Sequence, residues 1–168
     1  MAVGKKIERK YLAHYIDVNF DSSNASYVRL GKDLESYAEE MNPQVEIRKN
    51  ILGEQSVTHN GYEVQSNVEP FYCYESDPLF TQLAMVVNER KNGDDCKTTR
   101  VEALFNTNAE VVWAYREDCM VIPQSLGGDT SGMQIPFQVI NCGNRVAGTW
   151  AETNGEWAFT PTSNGQSG

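Results

Sequence analysis

Few residues in this chain are of types that do covalent chemistry, and their spacing assembles no reaction. Its 168 residues include two histidines, His14 and His59. His14 falls in a stretch that reads as a strand, where a histidine is ordinarily a satisfied structural residue. His59 stands beside a turn signal, where exposure is the default. Composition permits a Ser-His-Asp triad, yet there is no Gly-x-Ser-x-Gly elbow. Gly127-Gly128-Asp129-Thr130 lacks the lysine of a phosphate-cradling loop. Asp94-Asp95 and Glu117-Asp118 are acidic pairs with too few oxygen ligands to hold a cation other than weakly. Asn24-Ala25-Ser26 matches the glycosylation acceptor, but Met1-Ala-Val-Gly-Lys-Lys has no apolar core after its basic residues and does not read as a secretory signal. The expectation is no catalytic residue, no metal and no cofactor.

Cysteine use agrees. Cys73, Cys96, Cys119 and Cys142 recur at intervals of 23 residues, but their flanking residues share no pattern, so the spacing is coincidence rather than a repeat. With no Cys-x-x-Cys pair and no secretion signal, reduced thiols are expected instead of disulfides or zinc.

Composition bounds the class. Hydrophobic residues are 40% and charged residues 22% of the chain, with a mean hydropathy of -0.51. These are the values of one ordinary soluble domain, long enough to bury roughly 70% of its unfolded surface. No apolar run approaches the roughly 20 residues of a membrane span, so no membrane insertion is expected. A net charge of -9 without lysine or arginine clusters argues against holding DNA by counterion release.

The elements that must position any site are mostly strands. Tyr11 to Asp17 and Tyr27 to Leu30 read as short strands, the second closed by Gly31. Asp33 is placed to cap a short helix carrying Leu34, Tyr37, Ala38 and Met41, stopped by Asn42-Pro43. Val45-Glu46-Ile47-Arg48 alternates, and so does the stretch with Tyr62, Val64 and Val68 on one side and Glu63, Gln65, Asn67 and Glu69 on the other. Between these arms, Lys49 to Gly61 is polar with nothing to bury it, which predicts a long protruding hairpin. Asn60-Gly61 is the preferred turn and Gly53-Glu54 the competing one. Pro78 to Lys91 reads as an α-helix capped by Ser76 or Asp77, with Leu79, Phe80, Leu83, Ala84, Val86 and Val87 on one arc, and Arg90 and Lys91 in its last turn.

After Asn92-Gly93 everything is strand and turn. Thr99 to Phe105 and Val111 to Arg116 make a hairpin around Asn106-Thr-Asn108, and Cys119 to Ile122 continues it to Pro123. A glycine-rich loop, Gln124 to Gly132, precedes Met133 to Ile140, Arg145 to Trp150 and Trp157 to Thr160, the last two joined by Asn154-Gly155. The predicted fold is therefore mainly β (α+β). It comprises two packed antiparallel sheets or a partly closed barrel, one flanking helix, a single domain over 1–160 and a flexible polar tail over 161–168.

The order of several phrases carries a further signal. Arg29-Leu-Gly-Lys-Asp-Leu-Glu35, Met41-Asn-Pro-Gln-Val-Glu46 and Lys49-Asn-Ile-Leu-Gly-Glu54 come first. Gly61-Tyr-Glu-Val, Val68-Glu-Pro70, Asp77-Pro-Leu-Phe80 and Lys97-Thr-Thr99 follow, then Tyr115-Arg-Glu-Asp118, Gly127-Gly-Asp-Thr130 and Ile135-Pro-Phe137. This run, from Arg29 to Thr149, resembles the tail tube (major tail) proteins of long-tailed phages of Firmicutes-type hosts. The resemblance implies hexameric rings that stack into a tube conducting double-stranded DNA without binding it specifically. It implies tail-completion, baseplate or tip, and tape-measure proteins as partners, and a place in the virion tail after assembly from the host cytoplasm.

A hairpin contacting the next ring would be carried here by Asn50, Ile51, Leu52, Gly53, Glu54, His59, Asn60, Gly61 and Tyr62. Ile51-Leu52 fits either an inter-ring anchor or the chain's own core. Alternation nominates Glu63, Glu69 and Glu102 as wet-face carboxylates, facing either the lumen or the outer wall. Two other readings stand beside this one: the tube of a phage-derived bacteriocin or injection particle, and a soluble carbohydrate- or peptide-binding sandwich using Trp113, Trp150 and Trp157.

Overall fold

The structure, a computed structural model, describes residues 3–162. Eleven strands and one α-helix follow one another as β1 (Leu12–Asp17), β2 (Tyr27–Leu30), β3 (Pro43–Lys49), β4 (Gln55–Tyr62), β5 (Gln65–Val68), α1 (Pro78–Asn88), β6 (Lys97–Phe105), β7 (Val111–Pro123), β8 (Gly127–Asp129), β9 (Gly132–Gln134), β10 (Phe137–Thr153) and β11 (Glu156–Pro161). The fold is mainly β, as the sequence predicts. The principal sheet is antiparallel in the order β11-β10-β7-β6-β1-β2, with β5 on the N-terminal part of β10. β3–β4 and β8–β9 are separate two-stranded ribbons.

The sheet curls. Tyr27 of β2 meets Trp150 of β10 edge-on at 5.2 Å, although three strands lie between β2 and β10 in the hydrogen-bonded order. Aromatic packing drives the closure: Trp150 stacks on Trp157 at 5.3 Å, and Tyr15 lies 4.7 Å from Trp150. Inside this curl sit Ala13, Tyr15, Val101, Ala103, Ala114 and Trp150, all buried. The opposite face is covered by α1, whose Leu79, Leu83 and Val86 are buried, Leu79 and Leu83 over Ile16, Val121, Phe137 and Val139. Both faces of β1 and β6 are thus buried, which is why β1 shows no clean alternation in sequence.

α1 starts as its sequence dictates: the Asp77 carboxylate accepts from the Leu79 N–H at 3.0 Å, and Pro78 occupies the first turn. It ends earlier than predicted. Arg90 has a φ of 53° and lies with Lys91 beyond the last helical residue. Three further expectations are corrected. No helix forms between Asp33 and Met41: the Leu34 N–H bonds back to Gly31, and the Tyr37 hydroxyl is drawn to Ser66 and Arg100. Those tertiary bonds outcompete a short helix of marginal intrinsic stability. The long hairpin turns at Asn50–Glu54, not at Asn60-Gly61. There the Asn50 side chain accepts from the N–H groups of Leu52 and Glu54, at 2.9 and 3.0 Å. Asn60 and Gly61 instead stand together opposite Gln44, a bulge where the register shifts between Pro43↔Tyr62 and Val45↔His59. Finally, the ladder breaks after Tyr62, so exposed Tyr62 belongs to the hairpin while Ser66 and Val68 turn into the core.

Three smaller adjustments concern the end of the chain. The glycine-rich loop holds β8 and the first residue of β9, and Met133 and Gln134 pair back onto β8 instead of continuing into the next strand. β10 runs unbroken from Phe137 to Thr153 with bulges around Gly143. Pro161 pairs with Gly148 in β11, and residues 163–168 of the predicted tail lie outside the described residues.

Candidate assembly surface

The β3–β4 hairpin is held at its root and nowhere else buried. Every residue of β3 is exposed, and β4 is exposed except at Gly61. Its root is tied by the Glu40–Gln65 bridge and by Asn42, whose side chain donates to the Glu63 carbonyl at 3.0 Å. Seven residues of β3 carry the tip about 23 Å outward, at about 3.3 Å per residue. The pairs Pro43↔Tyr62, Val45↔His59 and Ile47↔Val57 place six partly apolar side chains on one face, with the His59 and Tyr62 rings edge-to-face at 4.7 Å. The other face carries Gln44, Glu46, Arg48, Ser56 and Thr58, with Glu46 and Arg48 paired at 3.3 Å. At the tip Ile51 is fully exposed (102%) and Leu52 is 76% exposed.

Of the residues nominated from sequence, Asn50, Ile51, Leu52, Gly53 and Glu54 form the tip, His59 and Tyr62 lie on the apolar face, and Asn60 and Gly61 form the bulge. The ambiguity over Ile51-Leu52 is resolved against the chain's own core. Sequence reasoning missed the stripe of Val45, Ile47 and Val57, which becomes legible once Gly53 rather than Gly61 is taken as the turn. A second feature is the sheet margins: within the described residues no strand hydrogen-bonds to the outer edge of β2 or of β11, although the curl brings these two strands beside each other.

Glu63 and Glu69 are exposed, as expected. Glu102 is not: it is buried, and its nomination as a wet-face carboxylate is corrected. Parity along β6 misled because both sheet faces are covered, one of them by the irregular segment bearing Tyr37 and Glu39. That segment seals a polar network. Arg100, almost completely buried, lies 3.4 Å from Glu39 and 4.0 Å from Glu102, and donates to Ser66, Asn141 and Tyr37. Arg145 reaches Glu117 at 3.0 Å and Glu102 at 3.3 Å. Burial, followed by contact with Glu102, pushes the Glu39 carboxyl up to about 7. Burial, followed by the Arg100 charge, pushes His14 down to about 4, leaving a neutral imidazole.

His14, Glu39 and Glu102 bring one ligand atom each within 4.8 Å of one another, a spacing that admits a metal ion. The surroundings do not suit one. The guanidinium of Arg100 already stands beside both carboxyl groups, and Arg9 faces His14 Nε2 at 2.9 Å, which directs the remaining ring proton towards Nδ1. The network is a buried, charge-compensated tie between the loop segment and the sheet.

The four cysteines are free. Burial pushes the Cys119 thiol up to about 12, so it is inert. The tryptophans proposed for a glycan site do not converge: Trp150 is buried, Trp157 packs on it, and Trp113 lies apart, half-exposed, beside Tyr115. Among the described residues no helix is long and apolar enough to cross a membrane.

No protein-family model matches the chain, and no curated protein matches it. Among the solved structures that share its fold are these two. One is the cap of the anti-feeding prophage, a tube-terminating cap: TM-score 0.51, 11% identity, covering 89% of this chain and 95% of that one. The other is the sheath/tube terminator of PVC, an extracellular contractile injection system, in its extended state: TM-score 0.52, 9% identity, covering 88% of this chain and 100% of that one. At such identities the likeness is one of fold.

Proposed function

We propose that this chain is a non-catalytic, tail-tube-type structural protein whose copies close into rings and stack into a conduit. The observation that carries the reading is the β3–β4 hairpin, an arm that leaves an apolar tip and an apolar stripe in water. A monomer gains nothing from that exposure, and another chain can bury it. Lateral joining within a ring would use the hydrogen-bonding capacity left on β2 and β11, which the curl brings beside each other without pairing them. The shared fold with a tube-terminating cap and a sheath/tube terminator supports a tail-associated role, and the ordered phrases from Arg29 to Thr149 support the tube itself. A net charge of -9 suits a channel through which double-stranded DNA slides without adhering, with Glu63 and Glu69 the exposed candidates for its wall. Hexameric rings, tape-measure, completion and baseplate partners, and a place in the virion tail follow from the same reading.

A second reading is favoured by what the two structural neighbours are called, a tube-terminating cap and a sheath/tube terminator: a protein that ends a tube. It serves a phage tail or an injection particle equally. Negative-stain microscopy of the purified chain, alone and with tube nuclei, separates the readings. A tube protein gives stacks of growing length, whereas a terminator gives single rings that bind one end of a tube and stop. A species that stays monomeric under both conditions refutes both.

A further inference from the structure

α1 ends at Asn88, and the chain turns through Asn92 to Cys96 before β6 begins opposite Met120. β7 runs on to Pro123, so its last residues extend past the start of β6 and lack a neighbour on that side. Between this strand end and the helix end lies a groove of about 660 Å³. Val87, Met120, Ile122 and Leu126 supply apolar walls, and Leu126 is half-exposed. Arg90 and Lys91 stand on the helix rim, and among the described residues neither has a carboxylate within salt-bridge distance. The other side of the groove is formed by Pro123, Gln124 and Ser125, and no carboxylate lines it. The groove therefore asks for an apolar segment with a negative charge directed towards the helix end.

One segment of this chain has that chemistry. The hairpin tip presents Ile51 and Leu52 to water, with the Glu54 carboxylate two residues beyond. The chain's own tip does not fill its own groove: Ile51 is fully exposed, and the β3–β4 ladder carries it away from the body. The root lies only two strands from the groove, because Gln65 pairs with Ile140 and Ile140 with Met120. We infer that the groove between α1 and the end of β7 is the seat for the hairpin tip of a second copy, with Ile51 and Leu52 entering it and Glu54 facing Lys91. This rests on the stacking reading above and adds the receiving surface. Tip and groove are different patches of one chain; in the stacking reading the contact runs one way and passes from copy to copy, whereas a reciprocal exchange of tips would close as a dimer.

The test is cysteine cross-linking in a Cys142→Ser background, with Leu52→Cys and Leu126→Cys combined in one chain. Under oxidation the doubly substituted chain is expected to give a ladder of multimers on a non-reducing gel. A mixture of the two singly substituted chains should give dimers. Rings or tubes that assemble without cross-links overturn the groove assignment while leaving the stacking proposal intact. A cross-linked monomer of faster mobility overturns the assignment to a second copy. Failure of the unsubstituted protein to assemble at all removes the stacking reading, and this inference with it. Charge reversal gives an independent readout. Glu54→Lys and Lys91→Glu should each weaken assembly about tenfold or more, and the pair together should restore it. Absence of rescue overturns the Glu54–Lys91 pairing.

Discussion

The β3–β4 and β6–β7 hairpins close with the same chemistry and go to opposite places. At Asn50–Glu54 and at Asn106–Glu110, the asparagine side chain accepts from the N–H groups two and four residues on, and its amide donates to the glutamate carboxylate at 3.0 Å. The fourth residue is left-handed in both, Gly53 at φ 82° and Ala109 at φ 63°. Yet β6 is buried over most of its length, while β3 is exposed throughout. The turn is set locally by Asn-x-x-x-Glu; the destination is set by the strands. β6 offers Val101 and Ala103 to the aromatic interior, whereas β3 and β4 put polar groups on one face and only a narrow apolar stripe on the other. In the proposed assembly, that narrow stripe on a free arm is the surface another chain would cover.

The largest expected effect breaks the symmetry between the hairpins. Val101→Asp puts an unpaired charge in a site with no exposure and should cost more than about 3 kcal/mol, enough to abolish cooperative unfolding in a thermal melt. Val57→Asp, on the exposed stripe, should change stability by less than about 0.5 kcal/mol and still block stacking. The same contrast is sharpened by replacing residues 44–61 with Asn-Gly, which reconnects the paired Pro43 and Tyr62. The shortened protein should melt within a few degrees of the parent and fail to form stacks in sedimentation. Global unfolding on truncation would show that the arm belongs to the core.

A smaller effect tests whether the two turns are equivalent. Asn106→Ala removes a turn inside the cooperative sheet and should lower stability by about 1 kcal/mol, read as a shift in urea midpoint at constant slope. Asn50→Ala removes the same bonds from a segment that opens independently. The midpoint should stay put while hydrogen exchange at Leu52 and Glu54 accelerates about tenfold. Equal midpoint shifts would mean that the arm unfolds with the domain.

The comparison also explains what the sequence disclosed. The cap of α1, the strands β2, β6, β7 and β11, the turns at Asn106–Asn108 and Asn154-Gly155, and the unburied arm were legible because each depends on neighbours within a few residues. The position of the arm's turn was misread because Asn60-Gly61 is the stronger two-residue signal, while the true tip is closed by the Asn50 side chain across five residues. The supposed helix from Asp33 to Met41 and the supposed exposure of Glu102 failed together and for one reason. Tyr37 and Glu39 leave helical geometry to cover Arg100 and Glu102, a contact more than 60 residues away in sequence that no local periodicity encodes. Of the candidate assembly surface, the tip was legible and the Val45–Ile47–Val57 stripe was not, because its common face depends on the register the misplaced turn obscured.

That buried network supplies the smallest effect and a last distinction between the hairpins, since β6 carries ionisable groups into the interior. Glu39, at about 7 in the folded chain, keeps a proton that an ordinary carboxyl releases near 4.5, so its contribution to stability is lost as pH rises from about 4.5 to 7. His14, at about 4 when folded, lacks a proton that the unfolded chain takes up near 6.5, so its contribution is lost as pH falls from about 6.5 to 4. Between pH 4.5 and 6.5 the two slopes oppose each other, and the parent protein should show an almost flat stability profile. Glu39→Gln removes the first slope and should leave stability rising with pH. His14→Asn removes the second and should leave stability falling with pH. Each slope should be below about 1 kcal/mol per pH unit once residual solvent screening at Glu39 is allowed for. Urea titrations at half-unit pH intervals resolve the difference. A Glu39→Gln profile as flat as the parent's would show that the segment covering β6 does not hold this proton, and that the buried hairpin is no more coupled to pH than the free one.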